Sequence, residues 1–399
     1  MFRLVATTFF GGEEILAGEL RTLGAKDISV KPSAVEFYGN EELMYKANLH
    51  CRTALRILKP FSVFKVKDEV ELYNNCKEIT WEKFLSAEKT FSIAAVSNHE
   101  KLNHTLYISQ KIKDAIVDRF RDKTGKRPSV DLENPDYIIH AFVEKDKCTL
   151  SFDSSGNSLH KRGYRISATE APLNETMAAG LIMLSGWKGE RNFYDFMCGS
   201  GTFLIEAAML ALNIPAGIFR RSFAFMKWND FNSRLWEEIV RKAKSEIKTE
   251  SGIKFYGADI SEGAVSSALR NIKQSGLEKF ISVERKSFSE FLPVSDRGVV
   301  ILNPPYGGRL DDENIFSLYE EIGNHIKKNF SGHDVWILTA NREASKRIGL
   351  HSSRKIKIYN GPLECRFMKF EIYAGSKKKK FASANPSSGG YSETKNEQS

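Results

Sequence analysis

The sequence predicts an α/β protein: a mostly parallel, Rossmann-like sheet with an antiparallel hairpin at its edge, preceded by a less regular α+β half. Three observations predict it. From residue 192 to 340, short apolar runs alternate with amphipathic segments at helical spacing, the order produced by parallel strands joined through right-handed helical crossovers. Asn360-Gly361-Pro362 then separates two further β-rich runs, which reads as a hairpin closing the sheet edge. Before residue 160, strand and helix patterns follow one another without that alternation.

In the first half the β-rich stretches are 3–8, 27–37, 55–66, 90–96, 137–143 and 147–152, and the amphipathic helices are 12–23, 40–49 and 105–123. A join is expected near 155–165, where SSGNS supplies a small, polar, linker-like run. In the second half the order is strand 192–196, helix 202–212, strand 254–260, helix 262–275, strand 280–285, strand 298–303, helix 313–330 and strand 334–340, then the hairpin 354–359 with 365–373. The divisions expected are 1–50, 51–158, 159–375 and a basic, disordered tail at 376–399, where KKKK and Ser, Gly and Asn replace apolar periodicity.

Bulk properties narrow the class. A length of 399 residues favours two or three domains, and 41% hydrophobic with 27% charged residues is ordinary for a folded soluble chain. No run of 18 apolar residues appears, so no membrane partner is expected. Five scattered cysteines without a CxxC pair point to a reducing cytoplasm and to no metal. The net charge of +9 lies entirely beyond residue 160, where 36 basic residues face 27 acidic ones, against 23 and 23 before it. Such a charge is compatible with a polyanionic partner without requiring one.

Three segments carry chemistry. In NFYDFMCGSGTFLIE an apolar strand ends at Asp195 and turns through Cys198-Gly199-Ser200-Gly201 into a helix. The two glycines let the backbone approach a ligand. Leu204 stands where a dinucleotide fingerprint wants its third glycine. An acidic strand end fits a ligand with a cationic amine, such as the methionine part of S-adenosylmethionine, whose carboxylate sits by the first helix amides; packing alone is the plainer use of such a turn. Asp259 ends the next strand about 60 residues on, and a carboxylate there accepts ribose hydroxyls or, more simply, it or Ser261 caps the following helix.

The most specific segment is the apolar strand 299–302 followed by Asn303-Pro304-Pro305-Tyr306. Two prolines donate no amide protons and hold the chain extended, which turns carbonyls outward. The Asn303 side-chain oxygen and the Pro304 carbonyl then accept both protons of an exocyclic base amine and favour the charge that develops as the nitrogen attacks. Tyr306 offers a face on which an extruded base stacks. No general base is needed, because a methylated ammonium is strongly acidic, and none of the eight dispersed histidines is assigned a role.

Together DFMCGSGTFLIE, GADIS and NPPYG resemble the amino-methylating class I methyltransferases. HKRGYRISATEAPLNETMAAGLI (160–182), IPAGIFRRSFAFMKW (214–228) and NPPYGGRL (303–310) narrow the resemblance to the THUMP-domain ribosomal RNA guanine-N2 methyltransferases, over nearly the whole chain to about residue 375. The resemblance implies a ferredoxin-like N-terminal segment, a THUMP domain that grips RNA, and a catalytic domain. It implies that Pro172 and Leu173 border the methionine end of S-adenosylmethionine, that Asp195, Cys198, Gly199 and Gly201 hold its methionine part and Asp259 its ribose, and that Asn303, Pro304, Pro305 and Tyr306 form the reaction centre. The family commonly has an acidic residue for the adenine amine after the third strand; here Ser287 would serve by its hydroxyl. Some relatives fuse a second methyltransferase, and one activity is expected here.

RNA contact has its own candidates. From Lys101 to Arg127 eight basic residues face three acidic ones, and the apolar stripe Ile108, Ile112, Ile116 and Phe120 leaves Lys113, Arg121, Lys123, Lys126 and Arg127 for phosphates; a solvated helix face explains them equally well. Arg162 and Arg165, at the join, are placed either between RNA and active site or in pairs with carboxylates. The competing activities are tRNA guanine-N2 methylation, DNA adenine-N6 methylation, which leaves the first 160 residues without a role, and a noncatalytic RNA-binding assembly factor.

Overall fold

The computed structural model describes residues 1–167, 173–307 and 312–372; Pro172, the end of NPPYGGRL and the expected tail lie outside them. The first half builds β1 (Phe2–Thr7), α1 (Glu13–Thr22), β2 (Lys26–Lys31), β3 (Ala34–Gly39), α2 (Glu41–His50), β4 (Arg56–Lys65), α3 (Glu69–Glu78), β5 (Thr90–Ser97), α4 (Thr105–Thr124), β6 (Ser129–Val130), β7 (Tyr137–Glu144) and β8 (Lys147–Asp153). These strands form one eight-stranded sheet in the order β2-β3-β1-β4-β8-β7-β5-β6. β4 joins its two parts: its start pairs with β1 and its length with β8, through an irregularity at Pro60 and Ser62.

Local chemistry sets most of these boundaries. Asn40 accepts from the Leu43 N–H and opens α2, and Asp68 accepts from Val70 and Glu71 to open α3. α4 buries Ile108, Ile112, Ile116 and Phe120 and stops at Gly125, which takes φ 69°. The single strand expected over 27–37 is a hairpin, because the backbone reverses at Pro32-Ser33 with Ser33 at φ 55°. α3 has no clear sequence pattern: only Leu72 and Cys76 are buried on it, too few to show a period.

The second half adds α5 (Glu175–Leu184), β9 (Asn192–Asp195), α6 (Thr202–Ala211), α7 (Ser233–Ser245), β10 (Phe255–Asp259), α8 (Glu262–Ser275), β11 (Ile281–Arg285), β12 (Gly298–Leu302), α9 (Asp312–Asn329), β13 (Asp334–Thr339), α10 (Arg342–Arg347), β14 (Arg354–Asn360) and β15 (Leu363–Glu371). Its seven strands run β11-β10-β9-β12-β13-β15-β14, parallel from β11 to β13 and antiparallel at the closing hairpin, as expected. β12 is buried along its whole length, which its unbroken GVVIL run anticipates. α5 shows no amphipathic period because it is apolar on all sides and buried. Among the described residues no helix is long and apolar enough to cross a membrane.

The join departs from expectation. Ser154 and Ser155 are fully buried rather than linker-like. The Asn48 side chain donates to Ser154 and accepts from Ser155, and Arg220 donates to the carbonyls of Ser155, Asn157, Ser158 and Lys161 at 2.7–3.1 Å. Arg220 belongs to the segment inserted between α6 and β10. That segment sends Phe223, Phe225 and Trp228 into the core of the first half, where Phe225 stacks on Tyr45 at 4.4 Å. Burying a phenylalanine ring contributes about 1.5–3 kcal/mol, so the insertion acts as a clasp between the halves. A buried ionic group sits beneath it. Arg52, which follows α2, donates to the Met209 carbonyl in the last turn of α6 and to the Ile214 carbonyl just beyond it. Arg162 reaches Glu206 in the middle of α6 at 3.4 Å, and Tyr164 donates to the same carboxylate at 3.0 Å.

Candidate active site

The carboxyl ends of β9, β10, β12 and β13 open on one cleft of about 1420 Å³, the position that the parallel topology dictates. Asp195, Cys198, Gly199, Asp259, Leu173 and Asn303 to Tyr306 line it together. Asp195 is 2% exposed, and among the described residues its one donor is the Met197 N–H at 3.2 Å. Burial drives its carboxyl well above the usual range; the Met197 bond lowers it and nearby Asp259 raises it. A buried carboxylate without a counter-ion among the described residues, open to a cleft, suits a cationic amine. The loop beside it leaves no room for side chains: Gly201 takes φ 82°, and a Cβ there would stand 3.2 Å from the Ala268 methyl. The Gly199 N–H donates to Asp259 at 2.9 Å, and Asp259 also accepts from the Ser261 N–H at 2.9 Å. Asp259 thus ties the two ligand loops together, while Ser261 caps α8 by accepting from Ala264. Ile260, 72% exposed in the cleft wall, offers an apolar surface that the sequence pattern does not single out.

The loop after β12 is braced from its neighbours. Tyr319 donates to the Pro305 carbonyl at 3.2 Å, and the Asn341 amide to the Tyr306 carbonyl at 3.1 Å; neither brace has a sequence signature. Pro304 between them is buried at the cleft border, and its carbonyl has no donor among the described residues. Two expectations change here. The Tyr306 ring is half-buried against the core under β9 and β13, not an open stacking face, and its hydroxyl donates to the Asn303 side-chain oxygen. The anticipated acceptor pair therefore reduces to the carbonyl of buried Pro304 and one acceptor held by tyrosine. Beyond this loop the wall is made by Asn341, Arg342, Glu343, Asn360, Leu363 and Glu364. Hydrogen bonds from Lys357 and then Arg342 hold the Glu364 carboxyl down at about 2.

Other residues that the sequence nominates fall elsewhere. Ser287 is not in the cleft wall; its hydroxyl accepts from the Ser289 N–H and pairs with the Ser289 hydroxyl, capping a short 3-10 turn. Arg162 is 1% exposed, and its donors go to Glu206, Leu159 and Arg52, so it does not reach RNA. Arg165 likewise points inward, to Glu175 at 2.7 Å, Ser200 and Thr202 at 2.8 Å and the Leu173 carbonyl at 3.2 Å. It is a bracket for the glycine loop rather than a phosphate contact. On α4, Lys113 pairs with Asp114, Arg121 with Asp118 and Lys126 with Glu88. Lys123 and Arg127 are exposed without an ion pair among the described residues.

Comparison with known proteins agrees with this geometry. Residues 162–369 match the family described as an RMKL-like methyltransferase domain, 66–153 the THUMP domain and 3–58 the RlmL ferredoxin-like domain. A Synechocystis protein (strain PCC 6803) provisionally named an RNA methyltransferase is 38% identical over 369 residues, covering 92% of this chain and 96% of its own. Ribosomal RNA large subunit methyltransferase K/L of Syntrophotalea carbinolica is 36% identical over 93% of this chain, which spans 53% of that longer relative. Among solved structures, the SMU.472 methyltransferase complexed with SAH superposes with a TM-score of 0.84 at 33% identity, covering 94% of this chain and 99% of that one.

Proposed function

The chain belongs to the THUMP-domain, RMKL-like methyltransferase family, and from that premise we propose that it methylates N2 of a guanine in large-subunit ribosomal RNA, using S-adenosylmethionine. The observation that carries the reading is the meeting of two loops in one cleft: the uncompensated Asp195 beside the glycine turn, and the unshared Pro304 carbonyl after β12. The homologous structure bound to SAH supports the cofactor assignment, and the names of the relatives support RNA as the acceptor.

When bound, S-adenosylmethionine supplies an electrophilic methyl group on a sulfonium. Asp195 holds a cationic amine, Asp259 accepts hydroxyls while fixing the Gly199 amide, and Ile260 gives an apolar wall. Pro304 accepts one proton of the base amine. Asn303 accepts the other once the Tyr306 hydroxyl leaves it. An acceptor pair aimed at an amine favours positive charge on nitrogen and so assists its attack. Lys123 and Arg127 on α4 are the residues proposed to meet phosphates, within the 51–158 region assigned to RNA binding.

The test is methyl transfer from labelled cofactor to transcripts of ribosomal and transfer RNA, with the product nucleoside identified, for wild type and Asn303→Ala. Incorporation as N2-methylguanine in ribosomal RNA, lost in the variant while RNA binding persists, is the expected result. Incorporation only in transfer RNA moves the substrate assignment, and a protein that binds RNA but transfers nothing to either sinks the catalytic reading.

A further inference from the structure

We infer that the far wall of the cleft is a guanine-reading subsite, in which Arg342 donates to O6 and N7 while the same base presents N2 to the Pro304 carbonyl. This rests on the guanine-N2 reading above and deepens it by naming the residue that selects the base.

The strand order supplies the geometry. Along the cleft the sheet presents β10, β9, β12 and β13, and then the β15-β14 hairpin. The lining residues follow that order: Asp259, Asp195 and its glycine loop, Asn303 to Tyr306, Asn341 to Glu343, and the hairpin's Asn360 and Glu364. The two ligand loops fill one end and the reaction loop the middle, so a base whose amine sits at Pro304 extends toward β13 and the hairpin. The charged residues of that wall are Arg342, Glu343 and Glu364. Arg342 is 56% exposed and pairs with Glu364 through one terminal nitrogen, leaving the rest of its fork unengaged among the described residues. Glu364 is shared with Lys357 at 2.7 Å, and Glu343 is taken by Lys346 at 2.8 Å. Leu363, 49% exposed, adds apolar surface for a ring.

The chemistry of the bases selects among acceptors. An arginine fork seeks two adjacent acceptors, and O6 with N7 of guanine is its commonest base partner. In guanine that edge lies across the ring from N2, so one orientation satisfies both walls. Adenine directs N3 and its sugar away from its amine, and cytosine a single O2; neither offers a fork two acceptors there. The wall therefore favours guanine over the other amine-bearing bases, through a residue remote from the reaction loop in sequence.

The experiment measures kcat/KM on substrate RNAs that carry, at the methylated position, guanine, 2-aminopurine lacking O6, 2,6-diaminopurine with an amine in its place, or 7-deazaguanine lacking N7. Full-length wild type, R342A and R342K are compared. Wild type is expected to lose about tenfold to a hundredfold on each analogue. R342A and R342K lose a similar factor on guanine, and their guanine-to-analogue ratio falls to about one, because a lysine is a point charge without a fork. SAH affinity unchanged by calorimetry accompanies that result. If R342A does not fold, R342K and the wild-type analogue series decide. Guanine preference that survives in the variants, or a wild type indifferent to the analogues, overturns the subsite and leaves guanine-N2 methylation standing; methylation of adenine or cytosine by wild type overturns both.

Discussion

The glycine-loop wall of the cleft and the basic face of α4 are built on opposite principles. The wall is backbone: Gly199 and Gly201 at positive φ, the Gly199 amide on Asp259, and a buried Asp195 with one donor. The α4 face is side chain, and much of its charge is cancelled by its own acids, Asp114 and Asp118 among them. A buried, uncompensated carboxylate costs stability until a ligand answers it. Exposed ion pairs contribute little either way. The difference teaches that the first region is organised before its ligand arrives, whereas the second is a set of exposed ion pairs that an anionic partner would have to displace.

Variants sharpen that contrast, beginning with the largest effect. Asp195→Asn should weaken S-adenosylmethionine binding by about 2–5 kcal/mol, the cost of removing one partner of a buried charge pair, read by calorimetry. The same variant should raise the melting temperature of the ligand-free chain at neutral pH. The sign follows from burial: with its pKa raised on folding, Asp195 favours the folded state when protonated, and that contribution is lost as pH rises through the folded value. Ligand-free wild type should accordingly gain stability from this group as pH falls through it, while ligand affinity declines. A melting temperature lower in Asp195→Asn than in wild type would contradict the uncompensated state of the carboxylate.

Asn303→Ala should lower kcat about 10²–10³-fold, as removal of one polar contact to the reacting group does, with SAH affinity unchanged. Gly201→Ala should cost about 1–3 kcal/mol in denaturant unfolding, since its φ of 82° strains any side chain and the new methyl crowds Ala268. The smallest effect belongs to α4: Lys123→Ala with Arg127→Ala should weaken RNA binding and reduce the salt slope by about one to two. An unchanged slope would remove this face from the RNA interface.

The same contrast explains what is legible in the sequence. The Asp195-to-Gly201 turn, Asp259 and Asn303 to Tyr306 are contiguous motifs at strand ends, and a parallel sheet gathers strand ends at one edge, so their convergence follows from the pattern. Long-range partners do not. Nothing near Arg162 announces Glu206, and nothing near Arg165 announces Ser200 and Thr202, so the sequence leaves both arginines open between RNA contact and carboxylate pairing, and the structure shows the pairing. The run 154–158 has the composition of a linker, yet Asn48 and Arg220 supply its hydrogen-bond partners from far along the chain. Tyr306 lies in the expected loop, but its hydroxyl's choice of Asn303 depends on packing that a strand pattern does not encode.

Arg52 closes the far end of the helix whose first turn follows the glycine loop, and it does so from outside the catalytic sheet. Excised alone, the catalytic half would keep the Glu206–Arg162 pair but lose the Arg52 donors to the Met209 and Ile214 carbonyls. Its clasp would carry Phe223, Phe225 and Trp228 into water. A chimaera of this chain that replaces its first half should therefore keep residue 52 and a partner surface for the 213–232 segment, and one cut at the apparent linker should precipitate.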